Sequence, residues 1–74
     1  MATKRSPRRN QLLGNRIRRL RKRSDLTQEK LAEKVRMTTT EIGYIEIGKH
    51  FPKPENLQKI ANALNVKVRD LFPF

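Results

Sequence analysis

The chain has 74 residues, which is enough for one domain with a small core. It contains no cysteine, so disulfides and thiolate zinc sites are excluded, and His50 is its single histidine. No Ser/His/Asp set, Cys/His set or glycine-rich phosphate loop can be assembled from these residues. We therefore expect neither an enzyme nor a protein with a metal or other cofactor.

Positive charge is concentrated near the start of the chain. Lys and Arg number 18 against 7 Asp and Glu, a formal net charge of +11, and residues 1–24 contain no acidic side chain. A block of one sign indicates a polyanionic partner or a solvated tail, and nucleic acid is the usual polyanion for a small basic domain. No apolar run is long enough for a secretory signal or a membrane span, so we expect a cytoplasmic, nucleoid-associated protein without a membrane partner.

The first segment, residues 1–10, has no apolar periodicity and is predicted to be a flexible basic N-terminal arm. Residues 11–74 are predicted to form one domain, which begins with a helix from Gln11 to Arg23. Apolar residues at helical spacing line one face of this helix: Leu13, Ile17 and Leu20. Asp25 is expected to follow the helix in a left-handed conformation.

Two threonines are predicted to begin the next two helices, because a threonine hydroxyl accepts a hydrogen bond from the first helical turn. Thr27 precedes the helix QEKLAEKV, and Thr38 precedes a helix that runs to Ile47 and is ended by Gly48. The inward residues of this helix pair are expected to be Leu31, Ala32, Val35, Met37, Ile42 and Ile45.

The last part of the domain is predicted to hold a fourth helix, roughly Glu55 to Leu64, after the loop KHFPKP. Asn65 is expected in a left-handed cap, and a short final turn follows near Val68 to Phe72. No segment alternates with period two for long enough to be a strand. The predicted fold is all-α, a compact bundle of four to five short helices.

Residues 28–47 have the pattern of two short helices joined by a tight turn. Together with NRIRRLRKRSDLTQ before them and NLQKIANALNVKVRDLF near the end of the chain, they resemble the helix-turn-helix of the lambda-repressor-like, Cro-type DNA-binding domains. The resemblance extends from Leu12 to Phe72. It implies a sequence-specific transcriptional regulator that binds double-stranded DNA with helix 3 (about 39–47) in the major groove.

The resemblance also implies roles for individual residues. Base contacts are expected from the exposed face of the third helix, at Thr39, Thr40, Tyr44 and Gly43. Phosphate contacts are expected from helix ends and the following loop, at Gln28, Lys49, His50, Lys53 and Thr38, although helix capping is the simpler role for Thr38. Arg21 and Glu46 are expected to form a structural ion pair that fixes the third helix.

The sequence departs from the family pattern at three positions. Arg36 and Asp25 stand where the family commonly has glycine, and a left-handed non-glycine residue costs roughly 1 kcal/mol. Ile47 stands where the family usually has a polar residue, and we expect it to pack under Phe51 or the fourth helix.

Several alternatives remain open. In the arm, Arg5, Arg8 and Arg9 either contact DNA or belong to a solubilising tail. A homodimer on a two-fold site is expected, and Phe72-Pro73-Phe74 either supplies a dimer contact or caps the core. The alternative function is a protein-interaction module, such as a bridging coactivator or an antitoxin-like partner. An arginine-rich RNA-binding helix is disfavoured by the apolar face of the first helix, and no small-molecule effector is evident.

Overall fold

The computed structural model describes residues 7–74, which form four α-helices and a final 3₁₀ turn. The elements, in chain order, are α1 (Arg8–Arg23), α2 (Gln28–Val35), α3 (Thr39–Glu46), α4 (Pro54–Ala63) and the 3₁₀ turn (Val68–Leu71). Within the described residues there is no strand, so the predicted all-α bundle is confirmed. No helix in this range is long and apolar enough to cross a membrane.

The first helix begins earlier than the sequence pattern indicated. α1 starts at Arg8, and the carbonyl oxygen of Pro7 accepts a hydrogen bond from the Gln11 amide at 3.2 Å. Pro7 has φ near −55°, which suits the residue before a helix. The predicted boundary of the arm at residue 10 is therefore wrong, because residues 8–10 are helical. Residues 1–6 of the arm lie outside the described range.

The predicted caps of the two middle helices are confirmed. The Thr27 hydroxyl accepts a hydrogen bond from the Lys30 amide at 3.0 Å, and the Thr38 hydroxyl accepts one from the Glu41 amide at 3.0 Å. Three non-glycine residues have positive φ at turns, Asp25, Arg36 and Asn65. Arg36 has φ 57°, and the chain turns there because the Met37 amide donates back to the Ala32 carbonyl at 2.9 Å.

One apolar core lies between the helices and is closed by the 3₁₀ turn. Its buried members are Leu13, Ile17, Leu20, Leu31, Ala32, Val35, Ile42, Ile45, Leu57, Ile60, Ala61, Leu64 and Leu71. Every inward residue expected for α2 and α3 is buried except Met37, which is partly buried against this core. The core holds α3 against both α1 and α2 and leaves its other side exposed.

Gly14 permits a close crossing of α1 and α3. A Cβ atom at this position would lie 2.6 Å from the carbonyl oxygen of Glu46 and closer still to that of Ile45. Only a residue without a side chain therefore fits between the two backbones. A second approach follows at Gly48, which has φ 81° and lies against the backbone of Gln11. The two contacts fix the C-terminal end of α3 on α1.

Candidate nucleic-acid interface

A capping box defines where α3 begins. The Thr38 hydroxyl accepts the Glu41 amide and lies 3.1 Å from the Glu41 carboxylate, which also accepts the Thr38 amide at 2.9 Å. These hydrogen bonds, the backbone one first, hold the pKa of Glu41 below its usual range, and the charge of His50 adds to the effect. Because the Thr38 hydroxyl donates its hydrogen to Glu41, it has none to offer a phosphate. This geometry favours capping as the role of Thr38.

The exposed side of α3 carries the residues expected to meet bases. Thr39 and Thr40 are exposed in the first turn, outside the capping box, while Gly43 and Tyr44 are half-buried one turn later. A Cβ at Gly43 would have only the Gln28 side-chain nitrogen nearby, at 4.0 Å. The helix therefore presents two free hydroxyls, a bare stretch of backbone and one aromatic ring on the same side.

A buried hydrogen-bonded cluster fixes the orientation of this helix. Arg21 Nε donates to Glu46 Oε2 at 2.6 Å and Arg21 Nη2 to Glu46 Oε1 at 3.1 Å, so the predicted ion pair is present. Arg21 also donates to the Leu26 carbonyl, and Gln28 Nε2 donates to Glu46 Oε1 at 3.0 Å. Arg21 is 7% and Glu46 2% exposed. The cluster joins α1, the start of α2 and the end of α3 through one carboxylate.

The Gln28 side chain makes a structural contact in addition to the phosphate contact that is predicted for it. Its amide nitrogen is already bonded to Glu46, so a phosphate would meet the backbone N–H groups at the start of α2 and the remaining N–H of that amide. Glu46 thereby holds Gln28 in place beside α3.

An open cleft of about 730 Å³ extends from α3 across the start of α2 to α1. Arg18 and Lys22 of α1 line it together with Thr39 and Gln28. No ion pair within residues 7–74 involves either of these cations. The sequence reading missed them as site residues, although Arg18 lies one turn before Arg21 and Lys22 directly after it. That spacing indicates a shared site only once α1 is packed against α3.

Ile47 lies in the same cleft, and its predicted packing under Phe51 or α4 is wrong. The side chain is 65% exposed and borders the cleft with Thr39 and Gln28. It is the C-cap residue of α3 and directly follows the buried Ile45 and Glu46. An apolar side chain is therefore presented beside the exposed face of α3.

The loop residues expected at phosphates lie in two different settings. Lys49 Nζ is 4.7 Å from the centroid of the Tyr44 ring, and the His50 ring meets that ring edge-on at 5.1 Å. Lys53 is exposed and is the N-cap residue of α4, without a side-chain capping bond. Lys49 and His50 are thus associated with an aromatic side chain, whereas Lys53 projects from the next helix start.

The arm residues within the described range lie in the first turn of α1, and Arg9 faces an aromatic cluster. Its guanidinium carbon is 5.5 Å from the Phe74 ring centroid. Phe72 stacks on Phe51 at 6.4 Å and meets Phe74 edge-on at 5.7 Å. Phe72 is partly buried against the core, while Phe51 is 46% and Phe74 52% exposed. Phe72 therefore caps the core, and Phe74 covers Arg9. Arg5 lies outside the described residues.

Comparison with known proteins places this geometry in a family. The HTH_3 family, described as helix-turn-helix, matches residues 17–71. An uncharacterised HTH-type transcriptional regulator of Archaeoglobus fulgidus is 41% identical over 59 residues, covering 80% of this chain and 84% of the relative.

Solved structures agree with that match. The restriction-modification controller protein C.AhdI from Aeromonas hydrophila superposes with a TM-score of 0.83 at 33% identity, covering 85% of this chain and 96% of that protein. SinR, a master regulator for biofilm formation solved in complex with DNA, gives a TM-score of 0.76 at 30% identity and covers 80% and 95% of the two chains. The chain belongs to the helix-turn-helix family, as its resemblance to lambda-repressor-like domains indicated.

Proposed function

We propose that the protein is a sequence-specific transcriptional regulator of double-stranded DNA, with α3 in the major groove. One observation carries the proposal: Thr39 at the start of α3, the start of α2 and the cations of α1 border a single open cleft. A groove-bound helix needs base contacts on its exposed side and phosphate contacts on both flanks. Relatives named as transcriptional regulators, and SinR solved with DNA, support the same conclusion.

Base selection belongs to Thr39, Thr40, Gly43 and Tyr44. Threonine offers a hydroxyl and a methyl group, which suit a base edge and a thymine methyl respectively. Gly43 allows the backbone to approach the bases, and Tyr44 reaches a base from one turn further along α3. Because none of these is a bidentate reader such as Arg or Asn, shape and close fit contribute to selectivity.

Selection of duplexes from a random pool tests this assignment. The wild-type protein should enrich one motif, and the triple variant Thr39→Ala, Thr40→Ala, Tyr44→Leu should lose that preference. If no duplex motif is enriched by the wild type, the proposed function is wrong. That outcome would favour the alternative that the sequence left open, a protein-interaction module. If the same motif is still enriched by the triple variant, base selection does not depend on these three side chains.

Phosphate contacts come from the start of α2, from Lys53 and from the newly identified Arg18 and Lys22. The two cations of α1 line the same cleft as Thr39, where a strand of the duplex would pass. Their exposed charge attracts the backbone without reading sequence.

The proposed phosphate contacts of Arg18 and Lys22 can be tested by the salt dependence of DNA binding, with two lysines from another groove as the control. Arg18→Gln with Lys22→Gln should lower the slope of log affinity against log salt by about 0.9 for each lost contact. Lys34→Gln with Lys59→Gln removes the same charge from a different groove, between α2 and α4, and should leave the slope nearly unchanged. Equal changes in the two double variants would refute the assignment.

The arm and the oligomeric state complete the proposal. We assign Arg5 and Arg8 to DNA backbone contact and expect Arg5→Gln with Arg8→Gln to flatten the same salt slope by about 0.9 for each lost contact. A dimer on a two-fold site would use the exposed rings of Phe51 and Phe74. Sedimentation equilibrium should show a dimer that Phe51→Ser with Phe74→Ser converts to monomer; a wild-type monomer on DNA would refute it.

A further inference from the structure

Two residues of the loop after α3, Lys49 and His50, contact the ring of Tyr44. The Lys49 ammonium lies 4.7 Å from the centroid of the ring, and the His50 ring meets it at 5.1 Å with an interplanar angle of 74°. Tyr44 is half-buried, while Lys49 and His50 are exposed. A tyrosine on the outer side of a helix thus has a cation on its ring and an imidazole at its edge.

Backbone hydrogen bonds after the end of α3 bring Lys49 and His50 close to Tyr44. The amides of Lys49 and His50 both donate to the carbonyl oxygen of Tyr44, at 2.8 and 3.3 Å. Gly48, with φ 81°, turns the chain back so that these amides reach it. The backbone of Lys49 and His50 is therefore bonded to Tyr44, the same residue whose ring their side chains contact.

Contacts that restrict an aromatic ring have a consequence for recognition. Ordering a mobile side chain at an interface opposes binding, and a ring that is already held loses less freedom when it meets its target. A cation over a tyrosine face is attracted by the ring quadrupole, and this attraction also restricts the rotamers of both residues. Lys49 and His50 can therefore influence base selection without touching a base.

We propose that Lys49 and His50 are positioning residues that hold the Tyr44 ring in its DNA-reading orientation. The proposal rests on the proposed function, since it concerns the selectivity of the same helix. A positioning role and a phosphate-contact role predict different effects of mutation on DNA binding. Loss of a phosphate contact weakens binding to all duplexes alike, whereas a released Tyr44 ring lowers selectivity at the base pair that it meets.

The free protein provides the first test, because Tyr44 is the single tyrosine and the chain has no tryptophan. Time-resolved anisotropy of tyrosine fluorescence therefore reports on this ring alone. Lys49→Met and His50→Leu should each increase the amplitude of fast ring motion. Lys53→Met removes a cation from the same loop and should leave it unchanged. Equal ring motion in the wild type and all three variants would overturn the proposal.

Binding to DNA provides the second test. On the enriched duplex and its single base-pair variants, Lys49→Met should reduce discrimination about 2- to 5-fold at one position, the one also affected by Tyr44→Leu. Lys53→Met should weaken binding equally at all positions. A uniform loss for Lys49→Met would refute the positioning role and leave the proposed function intact. Failure of the wild type to enrich any duplex would refute both.

Discussion

α1 and α3 cross at Gly14, yet they are stabilised in opposite ways. α1 has 16 residues, no side-chain N-cap and a basic last turn that suits the helix dipole. α3 has eight residues, a complete capping box and a glutamate in its last turn, where the dipole disfavours it. Helices as short as α3 are unstable alone in water. The difference teaches that the candidate reading helix depends on contacts supplied by its neighbours, whereas α1 is the support.

The largest effect is expected from the carboxylate that joins the two helices. Glu46→Gln leaves the Arg21 charge buried without its partner, which should lower the free energy of unfolding by about 3–5 kcal/mol. Urea unfolding at neutral pH measures it. Glu33→Gln, from the exposed pair with Lys30, is the control and should cost less than about 0.5 kcal/mol. Similar losses in the two variants would show that α3 does not depend on α1.

The second-largest loss of stability is expected at the crossing of α1 and α3. Gly14→Ala places a methyl group against the carbonyls of Ile45 and Glu46, an overpacking that costs about 1–3 kcal/mol. Alanine returns about 1 kcal/mol in helix propensity, so we expect a net loss of up to about 2 kcal/mol. A more stable variant in thermal unfolding would contradict the close approach.

The same substitution in α3 should have the opposite sign. At Gly43 a methyl group has space, with the Gln28 nitrogen 4.0 Å away. Gly43→Ala should therefore raise the free energy of unfolding by about 0.5–1 kcal/mol. It should also weaken binding to the enriched duplex, because the methyl group blocks backbone approach to the bases. Unchanged DNA affinity would remove Gly43 from the proposed base contacts.

The capping box gives a smaller effect with a pH signature. Thr38→Ala should cost about 1 kcal/mol. The pKa of Glu41 is lowered in the folded protein, so the stability that its carboxylate contributes is present at neutral pH and is lost as the pH falls through that lowered value. Thr38→Ala removes the hydroxyl but keeps the amide that bonds the carboxylate, so the pKa of Glu41 should rise only part of the way to its usual range, as measured by carbon NMR titration. Thr27→Ala, at the cap of α2, should leave the Glu41 titration unchanged.

The turn between α2 and α3 gives the smallest effect. Arg36 has φ 57°, a conformation that glycine adopts without steric cost. Arg36→Gly should raise stability by about 0.5 kcal/mol, because the relief of strain exceeds the added freedom of the unfolded chain. Arg36→Ala removes the same charge but keeps a Cβ, so calorimetry should show no gain. An equal gain in stability for the two variants would show that removal of the Arg36 charge, and not relief of backbone strain, is the cause.

Local features were predictable from the sequence, and close tertiary approaches were not. Thr27 and Thr38 were identified as caps because a cap is made by residues three apart. Arg21 and Glu46 are 25 positions apart, and only the family resemblance paired them. The exposure of Ile47 depends on how α3 packs on α1 and α2, which the apolar periodicity of α3 does not show. The cleft cations were missed for the same reason, since Arg18 and Lys22 face α2 and α3 only after the helices have packed.

The capping box separates the residues that build α3 from those available for recognition. Thr38 and Glu41 bond to one another, Ile42 and Ile45 enter the core, and Thr39 and Thr40 remain outside both groups. Positions 39 and 40 can therefore be diversified without disturbing the start of the helix or its packing. The domain is accordingly suited to retargeting, in which a library at these two positions yields proteins of the same stability that prefer different duplexes.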